Sequence, residues 1–454
     1  MKNNRRFHRF YRLFSLFRRH LRHLRLFFRI FVRKMTNLPE EFILQTRQLM
    51  GEERFNRFVE AFNEDAPVSI RINPKHRGTV PCVRSAADYT GTVPSVQVPW
   101  CSEGFYLEGR PQFTFDPLFH AGCYYVQEAA SMFITHVLRE IIHSQLSIVN
   151  CQSILDLCAA PGGKSTAAIS VLPEGSTLVG NEPVPIRAQI LLENITKWGW
   201  PNCIVTNNYP RDFRKAKAKF DIILCDVPCS GEGMFRKDPN AIGEWSLQNV
   251  EKCWRLQREI VADAWECLNP GGVIIYSTCT FNIKENEENV RWILEAYDAE
   301  PVTIPTDPSW GITGSLLPGF DAPVYRFIPG FTRGEGLFMA VLQHRGTVPC
   351  VSKERQRLNY TGTVPSVLRR LTSDLPEGDF PRVDLSYPEA LKYLRGEALV
   401  LPAETPKGLI TVTYKGFPLG PVKNIGNRAN NLYPKPWRIK TTHLPTEEIK
   451  IIDI

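Results

Sequence analysis

The stretch Leu155-Asp-Leu-Cys-Ala-Ala-Pro-Gly-Gly-Lys-Ser-Thr166 reads as a short apolar strand, a glycine-rich turn and the start of a helix. Glycines let backbone approach a ligand closely, and a helix start favours an anion. Strand candidates follow at 177–181, 203–205, 221–225, 273–277 and 336–342. Helices between them begin near Gly163, Val184, Leu247 and Ile283. Strands alternating with helices predict a parallel sheet with right-handed crossovers.

The turn narrows the ligand. Gly162-Gly-Lys-Ser lacks the first glycine of a phosphate-binding GxxxxGK[ST] loop, and no GxGxxG is present. S-adenosylmethionine fits better, because it brings a nucleoside and a carboxylate but no pyrophosphate. An acid closing the second strand would hold its ribose hydroxyls, and Glu182 stands there, after Leu178-Val-Gly-Asn.

Outside this region composition is less specific. With 454 residues the chain has room for two or three domains. Its twelve cysteines form no CxxC pair and no Cys/His cluster at zinc spacing, so we expect reduced thiols, a cytoplasmic location and no metal. The net charge of +8 is misleading: residues 1–34 carry ten Arg, two Lys and no acid, which leaves −4 for the rest. Overall basicity therefore says nothing about nucleic acid. That arm interleaves Arg with Phe and Leu, is too charged to span a bilayer, and is expected to lie outside the fold. Met35-Thr-Asn-Leu-Pro-Glu-Glu-Phe reads as a natural beginning. No membrane association is expected.

Two strings recur, His76–Val83 with His344–Val351 and Tyr89–Val96 with Tyr360–Val367. Two copies cannot stack as a solenoid. Their Gly, Pro and Thr content reads as sequence inserted into surface loops, so Cys82 and Cys350 receive no chemistry. Apolar spacing over 36–64 predicts a helix, alternation at Val68, Ile70 and Ile72 a strand, and 126–134 another helix. The expected units are an arm at 1–34, an N-terminal RNA-binding module at 35–148 with an insert at about 76–97, a catalytic domain at 149–343, an inserted repeat at 344–370 and a C-terminal RNA-binding module at 371–454.

Two cysteines each follow a predicted strand: Cys229 in Asp226-Val-Pro-Cys-Ser-Gly-Glu-Gly and Cys279 in Tyr276-Ser-Thr-Cys-Thr. Pyrimidine C5 is too weakly nucleophilic to take a methyl group directly. A thiolate adding at C6 makes C5 electron-rich, and a proton donor must serve N3. Asp226 suits that role if burial keeps it protonated. Chemistry alone leaves open which cysteine attacks. Cys158 and Cys225 read as packing residues, though Cys158 lends backbone to the cofactor turn.

These stretches, with Tyr125-Val-Gln-Glu-Ala-Ala-Ser-Met, Leu268-Asn-Pro-Gly-Gly and Gly334-Glu-Gly-Leu-Phe-Met-Ala, resemble the Sun (Fmu) family of RNA cytosine-C5 methyltransferases, close to its bacterial 16S ribosomal RNA members. The resemblance covers about 36–343, and Asn430-Asn-Leu-Tyr-Pro-Lys-Pro-Trp-Arg438 is similar to those members' C-terminal extension. It implies an α/β fold: a Rossmann-like class I S-adenosylmethionine-dependent methyltransferase sheet with a small α+β N-terminal module and a C-terminal PUA-like RNA-binding module. It implies that Cys279 attacks, that Cys229 assists product release, and that Asp226 contacts both cytosine and cofactor. It places S-adenosylmethionine on Cys158, Ala159, Ala160, Pro161, Gly162, Gly163, Lys164 and Glu182, with Arg187 approaching it. The family's acid after the third strand is missing, and Asn208 or Asp212 is the expected substitute. Phe235, Arg236 and Lys237, and Lys415, Lys423, Arg428, Lys435, Trp437 and Arg438, are the expected RNA contacts. The expected protein is a monomer acting on small-subunit ribosomal RNA. A DNA cytosine methyltransferase attacking through Cys229, and a non-catalytic RNA-binding assembly factor, are the competing readings.

Overall fold

Four strands with unbroken apolar runs lie side by side at the centre of the molecule, as the sequence pattern of a sheet covered on both faces requires. The computed structural model describes residues 38–76, 96–143, 151–346 and 368–452, apart from 374, 377 and 442. The basic arm, Cys82, Cys350 and nearly all of the repeated strings lie outside the described residues.

The N-terminal part has helices α1 (Glu40–Met50) and α2 (Glu52–Ala61) and strands β1 (Val68–Ile72), β2 (Val96–Val98), β3 (Cys101–Leu107) and β4 (Tyr124–Val126). Helix α3 (Phe133–His143) leads into the central sheet. The single helix expected over 36–64 is broken at Gly51, whose φ of +76° ends α1. The helix expected over 126–134 starts late: Val126 pairs with Ile70 in the sheet, and the Glu128 carboxylate takes the amides of Ala130, Ser131 and Glu335.

The central sheet comprises β5 (Ser153–Asp156), β6 (Thr177–Asn181), β7 (Cys203–Thr206), β8 (Phe220–Asp226), β9 (Leu268–Thr278), β10 (Ala299–Pro301), β11 (Tyr325–Phe327), β12 (Leu337–His344) and β13 (Arg370–Leu371). Its order is β10-β12-β9-β8-β5-β6-β7-β13, with β11 also on β12. Strands β5 to β9 are parallel; β12 and β13 are antiparallel additions on either side. Chain order reverses between β5 and β8, and at such a switch the strand ends open a crevice for ligands. Helices α4 (Gly163–Ile169) and α5 (Pro185–Trp198) follow β5 and β6; α6 (Leu247–Trp265) precedes β9, and α7 (Glu287–Ala296) follows it. Alternate residues of one strand face opposite cores. Ile154 and Ile222 pack with α3 to α5, while Leu155 and Ile223 pack with Ile260, Val261 and Ile293 of α6 and α7.

The C-terminal part holds β14 (Arg382–Asp384), α8 (Tyr387–Arg395), β15 (Gly408–Tyr414), β16 (Phe417–Asn424) and β17 (Ala429–Asn431) in a four-stranded sheet. Ser386 and Glu389 close a capping box on α8. Leu391, Leu394, Ile410 and Tyr433 share one core with Ile70, Ile72, Leu107 and Tyr124 of the N-terminal sheet. On another side Phe42, Phe55 and Phe58 pack on Phe235, Trp245 and Phe281. The N-terminal part is thus the packing link between the central sheet's loops and the C-terminal part.

Candidate active site

Asp226 and Ser277 are register neighbours on β8 and β9. The Ser277 hydroxyl donates to Asp226 Oδ1 at 2.7 Å. The two chains then leave the sheet side by side, which carries Cys229 and Cys279 to one place. Their Sγ atoms stand 3.2 Å apart, and the Cys279 amide points at Cys229 Sγ at 3.4 Å. Both are free thiols and both are half-buried. The hydrogen bond with Cys279 and then burial push the Cys229 thiol well up, and the charge of Glu285 adds to the push. Either thiol can donate to the other across this contact.

Lys164, on the first turn of α4, reaches across from β5 to Asp226 Oδ2 at 2.8 Å. Burial lowers the Lys164 ammonium, but Asp226, Asp156 and Cys279 together outweigh it and leave it raised. Asp226 is thus an ion-paired carboxylate with a third of its side chain exposed. Its surroundings are polar rather than apolar, because Lys164 and Ser277 both donate to it.

The glycine turn is built to be close to its neighbours. Gly162 adopts φ +111°, a conformation that side chains disfavour. The Ala159 amide donates to Asn181 O, joining the turn to the end of β6. Arg187 Nη2 donates to Ala160 O at 2.9 Å, and its Nη1 lies 3.4 Å from Glu182 Oε2. Pro161 O accepts from Asn194 and Tyr125. From below, the buried Arg71 of β1 donates to Thr166 Oγ1 at 2.6 Å, to Gln127 and to Ser170. Two buried carboxylate oxygens on this rim accept no hydrogen bond among the described residues: Asp156 Oδ1, and Glu182 Oε2, which faces Arg187 Nη1 at 3.4 Å. Burial raises Asp156 to about 7, against the opposing Ser165 hydroxyl. Unanswered acceptors beside a glycine cradle fit the hydroxyls of a nucleoside.

Other expected residues are placed differently. Asn208 accepts from the Arg369 amide and donates to Arg369 O, so its side chain serves the segment leading to β13. Asp212 accepts from Tyr209 N. Cys158 is half-buried and packs on the core beside Cys225, and burial raises both thiols. Phe235 is core, and Arg236 is buried in a two-pronged pair with Glu335 and on Ala61 O, so of that trio only Lys237 is exposed. Arg438 turns inward onto Tyr433 O, and Lys415 pairs with Glu448. Lys423, Arg428 and Lys435 remain exposed, while Trp437 is partly packed.

The composition offered no sign of the brace beneath the thiols. Glu285 Oε2 accepts from Ser230 N and from Gln257 Nε2, which also donates to Pro228 O. Burial, then repulsion from Glu232, raises Glu285 to about 7. Glu232 accepts from Phe281 N and Asn282 N. Gly233 N donates to Cys279 O at 2.8 Å, and a Cβ at Gly233 would lie 2.8 Å from that oxygen and 3.0 Å from Gly336. Gly233→Ala must therefore move the Cys279 backbone, and we expect methyl transfer to fall about 10- to 100-fold. A single-turnover rate within about twofold of the parent would mean that the loop yields without consequence.

Comparison with known proteins agrees along the chain. The descriptions "N-terminal domain of 16S rRNA methyltransferase RsmF", "16S rRNA methyltransferase RsmB/F" and "Methyltransferase RsmF PUA domain" match residues 38–129, 143–343 and 380–439. The ribosomal RNA small subunit methyltransferase F of Escherichia fergusonii is 31% identical over 340 residues, 72% of this chain and 67% of that protein. That of Serratia proteamaculans is 32% identical over 331 residues, 71% and 66%. The chain thus spans about two thirds of the length of the curated relatives it matches. In fold it is similar to NSun6 from Pyrococcus horikoshii with SFG, at TM-score 0.53 and 20% identity over 68% of this chain and 99% of that one. It is also similar to a methyltransferase homolog from Pyrococcus horikoshii, at TM-score 0.50 and 23% identity over 67% and 99%. With its three parts matched in order, the chain belongs to the RsmB/F family of 16S rRNA methyltransferases.

Proposed function

We propose that this protein transfers a methyl group from S-adenosylmethionine to cytosine C5 in 16S ribosomal RNA, through a covalent bond between Cys279 and cytosine C6. The observation that carries this reading is the pair of free thiols 3.2 Å apart, beside a Lys164–Asp226 pair and the glycine turn. Bound between Cys158–Lys164 and Glu182, with Arg187 bracing the turn, S-adenosylmethionine supplies an electrophilic methyl group.

The residues divide the work. Cys279, as thiolate, forms the bond to C6, and the ring's electrons move toward N3 and C5. The ion pair offers N3 a carboxylate with a proton-bearing ammonium 2.8 Å behind it, a route for the proton that N3 takes up. Once C5 has taken the methyl group, which leaves S-adenosylhomocysteine, C5 loses its proton to solvent, that electron pair restores the C5–C6 double bond, the C6–S electrons return to Cys279 as thiolate, and N3 gives its proton back to the carboxylate. Cys229 helps by donating its S–H to the departing sulfur, which supports a negative charge there. The assignment of attack to Cys279 rather than Cys229 follows the resemblance to the family.

The RNA must be unstacked at the target base to reach these sulfurs. Lys237 beside the thiol loops, with Lys423, Arg428 and Lys435 on the C-terminal part, are exposed cations suited to its phosphates. Bisulfite sequencing of ribosomal RNA from cells with and without the gene tests the assignment. One cytosine of 16S RNA should lose its protection when the gene is deleted. An unchanged map would overturn the ribosomal reading.

A further inference from the structure

We infer that Glu285 is the residue that positions Cys229 for product release, by tying both peptide flanks of that cysteine to the loop carrying Cys279. The inference rests on the division of labour between two thiols proposed above.

Glu285 lies six residues after Cys279, in the turn before α7. Its Oε2 accepts from the amide of Ser230 at 3.0 Å, on one side of Cys229. The same oxygen accepts from Gln257 Nε2 at 2.7 Å, which donates to the carbonyl of Pro228 at 2.8 Å, on the other side. Its Oε1 accepts from Asn282 Nδ2 at 2.8 Å, three residues past Cys279. Gln257 is itself oriented, because its Oε1 accepts from Asn289 Nδ2 and from Tyr276 Oη. The Ser230 and Thr280 hydroxyls meet at 2.9 Å between the loops. A carboxylate buried among three N–H donors can hold them all; an amide cannot, because it has one acceptor oxygen.

The Cys279 loop has other anchors. Gly233 N binds Cys279 O, Asn286 Nδ2 binds Thr280 O, Arg326 Nη1 binds Phe281 O, and Glu232 holds the Phe281 and Asn282 amides. Loss of the Glu285 carboxylate therefore loosens the Cys229 side of the sulfur pair first. The negative charge of Glu285 also contributes to holding Cys229 as a thiol.

The test uses the full chain with Glu285→Gln, Glu285→Ala, Cys229→Ala and Cys229→Ala/Glu285→Gln. The probes are transcribed 16S RNA and small ribosomal subunits from cells lacking the gene. Covalent protein–RNA adduct is followed on denaturing gels, its formation and its decay separately. Glu285→Gln should form adduct within about twofold of the parent rate yet release it about tenfold more slowly. The double variant should release no more slowly than Cys229→Ala alone, because both changes act on one step. Rescue is expected from neither amide nor alanine. Formation and release slowed alike would reveal a packing role and overturn the inference, as would release at the parent rate. If Glu285→Ala does not fold, Glu285→Gln decides. Adduct from Cys229→Ala with normal release from Glu285→Gln sinks this inference alone. No adduct from Cys229→Ala on either RNA sinks the two-thiol reading, and this inference with it.

Discussion

Cys279→Ala is expected to abolish methyl transfer and adduct together, while Cys229→Ala traps the RNA on the protein. Without the sulfur at 279 nothing activates C5, and loss of an attacking group costs on the order of 10⁴- to 10⁶-fold in turnover. In Cys229→Ala the attacking sulfur keeps its place, because its loop is anchored by Gly233, Arg326 and Glu232. What is lost is the S–H donor 3.2 Å from the departing sulfur. Attack then outruns release, and a band of protein bound to RNA should survive denaturation. The opposite pattern, adduct from Cys279→Ala and none from Cys229→Ala, would place attack in the Pro-Cys loop as DNA cytosine methyltransferases do. Full methylation of ribosomal RNA by Cys279→Ser would instead favour the non-catalytic reading.

Breaking the Arg326–Glu287 pair should cost the fold about 3–5 kcal/mol. Both side chains are buried, with exposures of 1% and 0%. Arg326 Nε donates to Glu287 Oε1 at 2.7 Å, Nη2 closes on Oε2, and Nη1 donates to Phe281 O at 2.8 Å. Glu287 also accepts from the Leu316 amide. Glu287→Ala leaves a guanidinium with no counter-charge under the ring of Phe338, which alone does not replace a carboxylate. Replacing both by apolar residues, Arg326→Met with Glu287→Leu, should recover most of the loss, because neither charge is then stranded. Urea midpoints followed by tryptophan fluorescence would measure both effects. A loss below about 1 kcal/mol for Glu287→Ala would mean that water reaches the pair. Activity should fall as well, since Phe281 lies two residues past the attacking sulfur.

Much of the sheet could be read in advance because its strands are continuous apolar runs and its turns carry glycine. Ile154, Leu155, Ile222, Ile223, Ile274 and Ile275 are buried on one face or the other whatever lies beyond. Edges were harder to place. Strand β13 exists because Arg370 and Leu371 find Thr206 and Val205 across a long stretch of chain. The same segment engages the Asn208 side chain through Arg369. Charged residues misled where burial was decided by distant partners. Arg236 reads as a surface cation until Glu335 and Ala61 O enclose it.

The order of residues alone determined the alternating architecture, the glycine turn before Lys164 and the placing of two cysteines just beyond strand ends, because these depend on local periodicity and spacing. Tertiary structure alone decided that the two sulfurs meet, that Lys164 pairs with Asp226, and that Glu285 and Arg326 brace the loops. Those outcomes depend on which strands become neighbours and on how completely water is excluded between residues far apart in the chain.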